Sequence, residues 1–350
     1  MAGDRLLTGA RDGAVRLWNV ADPDRPAPAG ALATGPEAAV QRMATTGDGT
    51  LVAIPFDDGR FELWHTDASR EPVRLATVSN AHTGGTFAAA FHPDGRLLAT
   101  GGPDRRVRLW DVADPAAPTP IGDPLPERPG AVFAVAFSPD GNTVAAAGGE
   151  GATWLYDVSR PEAPAQLGDP LGGHNGPVYG AAFSPTEPLM ATAGVDGLVW
   201  LWDVSNLQAP RNRGGRPALE NDGGAALWVA FDRTGKLAVA NADGSTWIWD
   251  VRSLDPVLRA RLVGHQQAVM GATFLPDEDR VVTASADQTG VVWRLDEEAA
   301  AEAALNGVGD PLTDRERQRY LSDPAPAAAA VAVPGYAQTA IRRLIRLRRA

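Results

Sequence analysis

The stretch AAFHPDGRLLATGGPDRRVRLWDV, residues 89–112, decides the fold. Its first part ends a strand at the Pro-Asp-Gly sequence 93–95, where proline presets φ and Asp-Gly tolerates positive φ, so the chain reverses direction. Leu97–Thr100 is a short apolar strand, and Asp104 begins the next tight turn. Residues 107–110 then alternate between the two faces of a strand with a period of two. The stretch therefore predicts short strands that are joined by tight turns.

An aromatic residue equivalent to Trp110 recurs along the whole chain. The gaps between successive members are 46, 46, 46, 46, 47 and 44 residues, for Trp18, Trp64, Trp110, Tyr156, Trp202, Trp249 and Trp293. A period of this size indicates a repeat architecture. Segments between the repeats, such as residues 165–171, are predicted to form an outer fourth strand. Four strands in each roughly 40–45 residues are the blade of a β-propeller.

Residues 4–295 resemble the WD-repeat family, because several motifs recur in register. These are the Ser-Pro-Asp-Gly turn, the Trp-Asp pair, and an aspartate six residues before the aromatic, at Asp12, Asp58, Asp104, Asp196, Asp243 and Asp287. The fourth repeat departs from this pattern with Glu150. The prediction is an all-β fold: a seven-bladed, or nearly seven-bladed, WD-repeat β-propeller over residues 1–298, with a short α-helical basic tail over residues 299–350.

Composition limits the classes of function. The 350 residues carry a net charge of −11 and no cysteine, which excludes disulfides, thiolate metal sites and cysteine nucleophiles. Residues 299–350 have a net charge of +3, which leaves −14 on the repeats, so binding of nucleic acid by the ring is disfavoured. No apolar run approaches the roughly 20 residues that span a bilayer, and no signal peptide is visible. A cytoplasmic protein is expected.

Three histidines lie 28 residues before an aromatic. By the family resemblance, each belongs to a structural tetrad of His, Thr, Asp and Trp. The three sets are His82, Thr100, Asp104 and Trp110; His174, Thr192, Asp196 and Trp202; and His265, Thr283, Asp287 and Trp293. A His-Asp-Thr cluster is also compatible with nucleophilic catalysis. Periodic placement favours the structural role, because an active site is needed once and a structural contact is needed in every blade.

Other catalytic and ligand-binding motifs are missing from the sequence. It has no phosphate-binding Gly-Lys-Ser/Thr loop, no dinucleotide fingerprint, no nucleophile elbow and no zinc-type His-Glu pair. The glycine cluster at residues 148–151 fits a permissive turn better than a phosphate site. The aspartate-rich turns lack the closely spaced acids of a calcium loop. No cofactor, no metal and no enzymatic activity are therefore expected.

A partner-binding site is predicted on the loop-lined narrow face, around the central channel. The family resemblance places the residue four positions before the repeat phenylalanine, or its equivalent, at the top of the innermost strand. These residues are Gln41, Phe87, Phe133, Tyr179, Leu227 and Met270, with Arg11 and Arg105 as nearby polar contacts. Aromatic residues and methionine suit protein interfaces. The alternative is that they only fill the top of the channel.

The two ends of the repeat region are incomplete. The first repeat begins at a second strand, Arg5–Gly9, and no clear outer strand follows Leu295. Because a propeller must close to avoid exposed strand edges, either the chain is the C-terminal piece of a longer protein or its tail closes the ring. In the tail, Thr313 and Glu316 form a capping box that predicts a short helix. Residues 328–333 are a candidate for the missing inner strand.

The tail also bears on function. Residues 309–321 are similar to the ending of WD-repeat C-termini in actinobacterial multidomain proteins that resemble STAND-class NTPases and receptor kinases. The flanking cysteines of that ending are absent, and Arg317 replaces its tryptophan. Residues 341–349 contain five arginines, which suit anionic lipid, nucleic acid, the acidic ring or solvent.

The favoured function is a non-catalytic protein–protein interaction platform, a scaffold or adaptor that binds another protein. A sensor domain of a larger signalling NTPase or kinase is the alternative, with the output domain upstream. A propeller hydrolase is the weakest hypothesis, because no cluster of acids, bases or metal ligands occurs in one repeat and not in the others.

Overall fold

The computed structural model describes residues 5–22, 26–32, 38–66, 71–213, 219–220, 223–275 and 279–295. These residues form seven antiparallel sheets and no helix. From the second sheet to the seventh, the first strand of each sheet lies against the first strand of the next. The fold is therefore an all-β, seven-bladed propeller, and each sheet is one blade.

Strand bounds follow the repeats. Blade 1 contains β1 (Arg5–Gly9), β2 (Val15–Asn19) and β3 (Ala27–Leu32). Blade 2 contains β4 (Ala44–Thr45), β5 (Leu51–Pro55), β6 (Phe61–His65) and β7 (Val73–Val78). Blade 3 contains β8 (Ala88–Phe91), β9 (Leu97–Gly101), β10 (Val107–Asp111) and β11 (Thr119–Pro120). Blade 4 contains β12 (Val132–Phe137), β13 (Thr143–Gly148), β14 (Thr153–Asp157) and β15 (Ala165–Leu171).

The remaining three blades complete the ring. Blade 5 contains β16 (Val178–Phe183), β17 (Leu189–Gly194), β18 (Leu198–Asp203), β19 (Arg211–Asn212) and β20 (Leu219–Glu220). Blade 6 contains β21 (Ala226–Phe231), β22 (Lys236–Asn241), β23 (Ser245–Asp250) and β24 (Val257–Val263). Blade 7 contains β25 (Val269–Phe274), β26 (Arg280–Ser285) and β27 (Gly290–Arg294).

Aspartate side chains stabilise the tight turns between strands. In the β8–β9 turn, Asp94 Oδ1 accepts a hydrogen bond from the main-chain N–H of Arg96 at 2.8 Å. Asp140 does the same for Asn142 in the β12–β13 turn, at 3.1 Å. A short side chain that bonds the backbone two residues ahead favours a turn over a continuing strand. The Pro-Asp-Gly sequences at residues 93–95 and 139–141 therefore set where the inner strands of blades 3 and 4 end.

The periodic aromatic residues lie at the contacts between blades. Trp110 of blade 3 packs on blade 2, and its ring meets Phe61 edge-on with 5.1 Å between the centroids. In blades 2 and 4 to 7 the equivalent residue also packs against the preceding blade, for Trp64, Tyr156, Trp202, Trp249 and Trp293. Burial of one large ring at each contact removes about 150–250 Å² from water. The 46-residue period is therefore the period of blade-to-blade packing.

The ring closes through side chains rather than through a shared sheet among the described residues. Leu6, Trp18 and Val20 of blade 1 form one apolar cluster with Leu275 and Val282 of blade 7. Blades 1 and 7 have three strands each in the described part of the chain. In blade 1 the strand nearest the centre is β1, and in blade 7 the outermost strand is β27.

The predicted tail lies outside the described residues. This applies to its helix, to the candidate strand at residues 328–333 and to the division at residues 298 and 299. The described residues contain strands and no helix, and so no membrane-spanning helix is found among them.

Gly59 offers a test of the blade contact. It has a φ of +91°, and a Cβ at this position would overlap the main-chain oxygen of His82 in the next blade. We expect Gly59→Ala to lower the free energy of unfolding by about 2–4 kcal/mol, from backbone strain and the displaced loop. Thermal melting and urea unfolding would measure the loss.

Gly47→Ala is the matched control, because a Cβ there meets no heavy atom within 4 Å and its φ is not in the left-handed region. Equal stability of the two variants would contradict the predicted role of the Gly59 turn.

Candidate functional site

One face of the ring carries the residues predicted to bind a partner. In blade 3, Ala88 at the start of β8 pairs with Gly101 at the end of β9. Phe87 and Arg105 therefore lie at the same end of the blade. In blades 4 to 7, too, the first residue of the first strand pairs with the last residue of the second strand. Arg11 follows β1 in the β1–β2 turn and belongs to this face, which we call the rim face.

Four of the predicted rim residues lie on β-bulges. Register shifts on the first strand of blades 4, 5, 6 and 7 skip one residue each, namely Phe133, Tyr179, Leu227 and Met270. A bulged residue is the extra member of a strand pair, so its side chain leaves the regular alternation between the two sheet faces. In these four blades the position predicted from the family resemblance is thus a distinct backbone feature, which periodicity alone does not reveal.

Three of the rim side chains form a continuous aromatic arc over blades 3, 4 and 5. Phe87 and Phe133 stack with 5.9 Å between centroids and an interplanar angle of 7°. Phe133 and Tyr179 lie 5.1 Å apart with an angle of 49°. All three rings are partly buried. The structure thus brings together residues that are 46 positions apart in the sequence.

The remaining predicted contacts lie around the same channel. Met270 is 52% exposed, while Leu227 and Gln41 are partly buried. Arg11 is exposed in its turn. Arg105 is exposed as well, but it forms an ion pair with Glu127 of its own blade. A partner's acid would therefore have to compete with Glu127 for this arginine.

Arg42 is a channel residue that the sequence analysis missed. It follows Gln41 at the inner edge of blade 2, and its main-chain N–H donates to Phe87 O of blade 3 at 3.2 Å. Its guanidinium crosses to blade 6, where Nη2 donates to Leu227 O at 2.9 Å and Cζ lies 4.7 Å from the centroid of Trp228. The only available signal was an arginine next to a predicted rim position.

Each of the three predicted histidine sets forms a connected hydrogen-bond chain. In blade 3, Trp110 Nε1 donates to Thr100 Oγ1 at 2.9 Å, His82 Nε2 lies 2.9 Å from that hydroxyl, and His82 Nδ1 lies 2.8 Å from Asp104. In blade 5 the corresponding three distances are all 3.0 Å. In blade 7 they are 2.7, 2.8 and 3.0 Å.

The direction of donation fixes the charge of the histidine. Because the tryptophan N–H donates to the threonine oxygen, the threonine O–H is left to donate to His82 Nε2. Nδ1–H then donates to Asp104, so the imidazole is neutral, and Arg108 Nη1, which lies 2.7 Å from the same Nδ1, donates to Asp104 Oδ2 instead. Burial, the largest influence, lowers the pKa of His82 and of His174 below the ordinary value of 6.5. His82 and His174 are therefore neutral at pH 7, and both of their ring nitrogens are hydrogen-bonded, which agrees with a structural role.

The carboxylates of the sets connect the loop between blades to a turn. Asp196 accepts the main-chain N–H of Asn175 at 2.8 Å and that of Leu198 at 3.1 Å. Burial alone would raise the pKa of Asp104, but the hydrogen bond from His82 and the Arg108 guanidinium lower it to about 2. The pKa of Asp287 is also lowered to about 2, where hydrogen bonds from Thr289, Gln266 and His265 outweigh burial.

Blade 4 replaces the histidine set with an arginine and a glutamate. Arg128 stands 28 residues before Tyr156, at the histidine position, and is only 2% exposed. Its Nη1 donates to Ala146 O at 2.7 Å and lies 3.9 Å from Glu150 Oε1. Glu150 also accepts a hydrogen bond from Trp154 Nε1 at 2.8 Å. The sequence analysis missed this pair, although the 28-residue offset was available to find it.

Within the described residues, no group of three or more His, Asp or Glu side chains could hold a metal ion. The histidines of the three sets are committed to threonine and aspartate partners of their own blade.

Comparison with known families agrees with the geometry. Residues 73–111, 123–157, 166–203 and 256–294 match the model of the WD domain, G-beta repeat. Three of these segments contain a His-Thr-Asp-Trp set, and the fourth contains Arg128 and Glu150. No curated protein shows a significant match to the chain. With the seven sheets, the four matches support a WD-repeat β-propeller.

Loss of one histidine should weaken the ring without affecting a distant contact. We expect His174→Ala to lower the free energy of unfolding by about 2–4 kcal/mol, because Thr192 and Asp196 lose a buried partner. Differential scanning calorimetry would show a lower Tm. His65→Ala, in a partly exposed position of blade 2, is the control. An unchanged Tm in His174→Ala would contradict the structural role.

The histidines should also make stability depend on pH. Their pKa is lower in the folded chain than the ordinary 6.5, so the unfolded chain binds more protons below that pH. Stability is thus fully present above about pH 6.5 and falls as the pH decreases below it. A second loss follows below about pH 4, where Asp104 and Asp287 would protonate in the unfolded chain.

Melting curves between about pH 7.5 and about pH 5 would test this dependence. We expect the double variant His82→Gln/His174→Gln to lose less Tm over that range than the wild type, although it starts from a lower value. The same decrease in both proteins would assign the effect to other groups.

Proposed function

We propose that this chain is a non-catalytic platform that binds another protein on its rim face, across the mouth of the central channel. Propellers of the WD40 type generally serve as protein–protein interaction platforms. The observation that carries the proposal is the aromatic arc of Phe87, Phe133 and Tyr179. The arc presents large rings at the place where the rigid blades converge, as expected of the central residues of an interface.

The position of the arc argues for recognition rather than for packing alone. Contacts between blades are already filled by the periodic aromatics, as for Tyr156 and Trp202. Phe133 and Tyr179 instead lie on bulges outside the regular alternation of their strands. Met270, 52% exposed on blade 7, adds an adaptable apolar side chain on the same face. Arg11 adds a cation at the edge.

Variants of the two faces would test the proposal. We expect Phe133→Ala/Tyr179→Ala to lose at least about tenfold in affinity for the protein partner, since truncation of central aromatic residues costs about 2 kcal/mol or more. The full chain would be used as bait in quantitative affinity capture from the cells that express it. Tm measurements would establish that the variant is folded.

The matched control is Leu254→Ala. Leu254 is 71% exposed in the β23–β24 turn, at the opposite end of blade 6 from the rim. Partners lost from the rim variant and kept by the Leu254 variant would support the proposal. Partners retained by the rim variant, or lost only from the Leu254 variant, would place the binding site elsewhere.

A further inference from the structure

Arg42 is held across the channel mouth with little to balance its charge. Among the described residues, Leu227 O is the one acceptor within hydrogen-bond distance of the guanidinium, and no carboxylate lies within 4 Å of it. A guanidinium has five N–H donors, so most remain available. The Trp228 ring below it contributes only a π face. Arg42 is partly buried, so water solvates this cation incompletely, and an anion or further acceptors would complete its hydrogen bonding.

Three other arginines at this end of the blades have carboxylate partners. Arg60 contacts Asp58, Arg106 contacts Glu127 at 3.1 Å, and Arg108 contacts Asp104 at 2.6 Å. Acidic residues outnumber basic ones in the ring, and yet none of the described carboxylates forms an ion pair with Arg42. Burial lowers the pKa of Arg42 to about 10, and it therefore stays charged at neutral pH while being poorly solvated.

The walls around Arg42 also suit a ligand. The indole Nε1 of Trp228 is buried without an acceptor among the described residues. Tyr179, the end of the aromatic arc, lies close enough to Arg42 to influence its pKa. The channel mouth thus combines one cation, spare N–H donors and apolar rings.

We propose that this channel mouth binds one side-chain carboxylate, from an aspartate or glutamate of an extended protein segment, through Arg42. Apolar side chains next to that acid would lie on Phe133 and Tyr179. This inference rests on the proposed function, because the acid belongs to the protein bound on the rim face. A planar carboxylate accepts two parallel hydrogen bonds from a guanidinium, which gives direction as well as attraction.

The charge of the ring favours a carboxylate over a phosphate. A phosphoryl group carries about −1.5 to −2 charges at pH 7 and is usually held by several cations. Here Arg42 is the guanidinium with a hydrogen bond across the channel in the described part of the chain, and the first 298 residues carry a net charge of −14. A singly charged acid suffers less repulsion from this body. The same argument disfavours a nucleic-acid strand.

Two short peptides would test the inference on the full chain. The probes are acetyl-Phe-Glu-Phe-amide and its neutral counterpart acetyl-Phe-Gln-Phe-amide. Nitrogen-15 NMR would follow the Trp228 indole signal, assigned with Trp228→Phe, and the Arg42 Nε signal, assigned with Arg42→Lys. We expect the glutamate peptide to shift both signals and to bind about tenfold more tightly than the glutamine peptide, which is about 1.4 kcal/mol.

Substitutions at Arg42 would locate the preference. Arg42→Gln should abolish the difference between the peptides, and Arg42→Lys should keep part of it, because a lysine retains the charge but not the paired donors. Tm values would show that both variants are folded. The wild-type comparison of the two peptides stands even if Arg42→Gln does not fold.

The outcomes separate this inference from the proposed function. Equal binding of both peptides, lost in Phe133→Ala/Tyr179→Ala, would overturn the carboxylate site and keep the rim face. Binding of neither peptide up to its solubility limit would overturn the carboxylate site, whereas the capture experiment decides the rim face separately. Displacement of the glutamate peptide by inorganic phosphate at lower concentration than by acetate would also overturn the carboxylate assignment.

Discussion

Packing of one aromatic residue against the preceding blade is the interaction on which the rest of this structure depends. A single four-stranded sheet has two apolar faces and cannot cover them alone, so each blade is stable only between neighbours. The contact repeats around the ring, and the last one, between Trp18 of blade 1 and Leu275 and Val282 of blade 7, closes it. That closure holds the first strands in a circle and so creates the channel on which the candidate site is built.

Much of the fold could be predicted from the sequence because its causes are local and periodic. Turn residues such as Asp94 act on the backbone two positions ahead, and the spacing of aromatics repeats once for each blade. Both signals can be counted without any knowledge of the tertiary structure. The seven-bladed all-β architecture was therefore accessible, and the structure agrees with it.

The candidate site was less accessible, because its contacts join distant parts of the chain. A fixed offset placed His82 near Asp104, since both ends of that interaction belong to one repeat. No offset links Arg42 to Leu227, which are 185 residues apart and meet only because the ring brings blades 2 and 6 to a common centre. The Arg128 pair was overlooked for a different reason: its chemistry differs from that of the histidine sets, whereas its position does not.

The bulges on the inner strands allow one residue of each strand to serve binding while its neighbours serve packing between blades. In a regular strand every side chain faces one sheet surface or the other, so a change of residue alters packing somewhere. The side chain at a bulged position lies outside this alternation, so a change there affects the packing less. Within this single chain the bulged position is occupied by phenylalanine, tyrosine, leucine and methionine, while the neighbouring strand residues are small or aliphatic in most of these blades. The rim can therefore acquire a new specificity by substitution at a few positions, with little change in the stability of the ring that displays it.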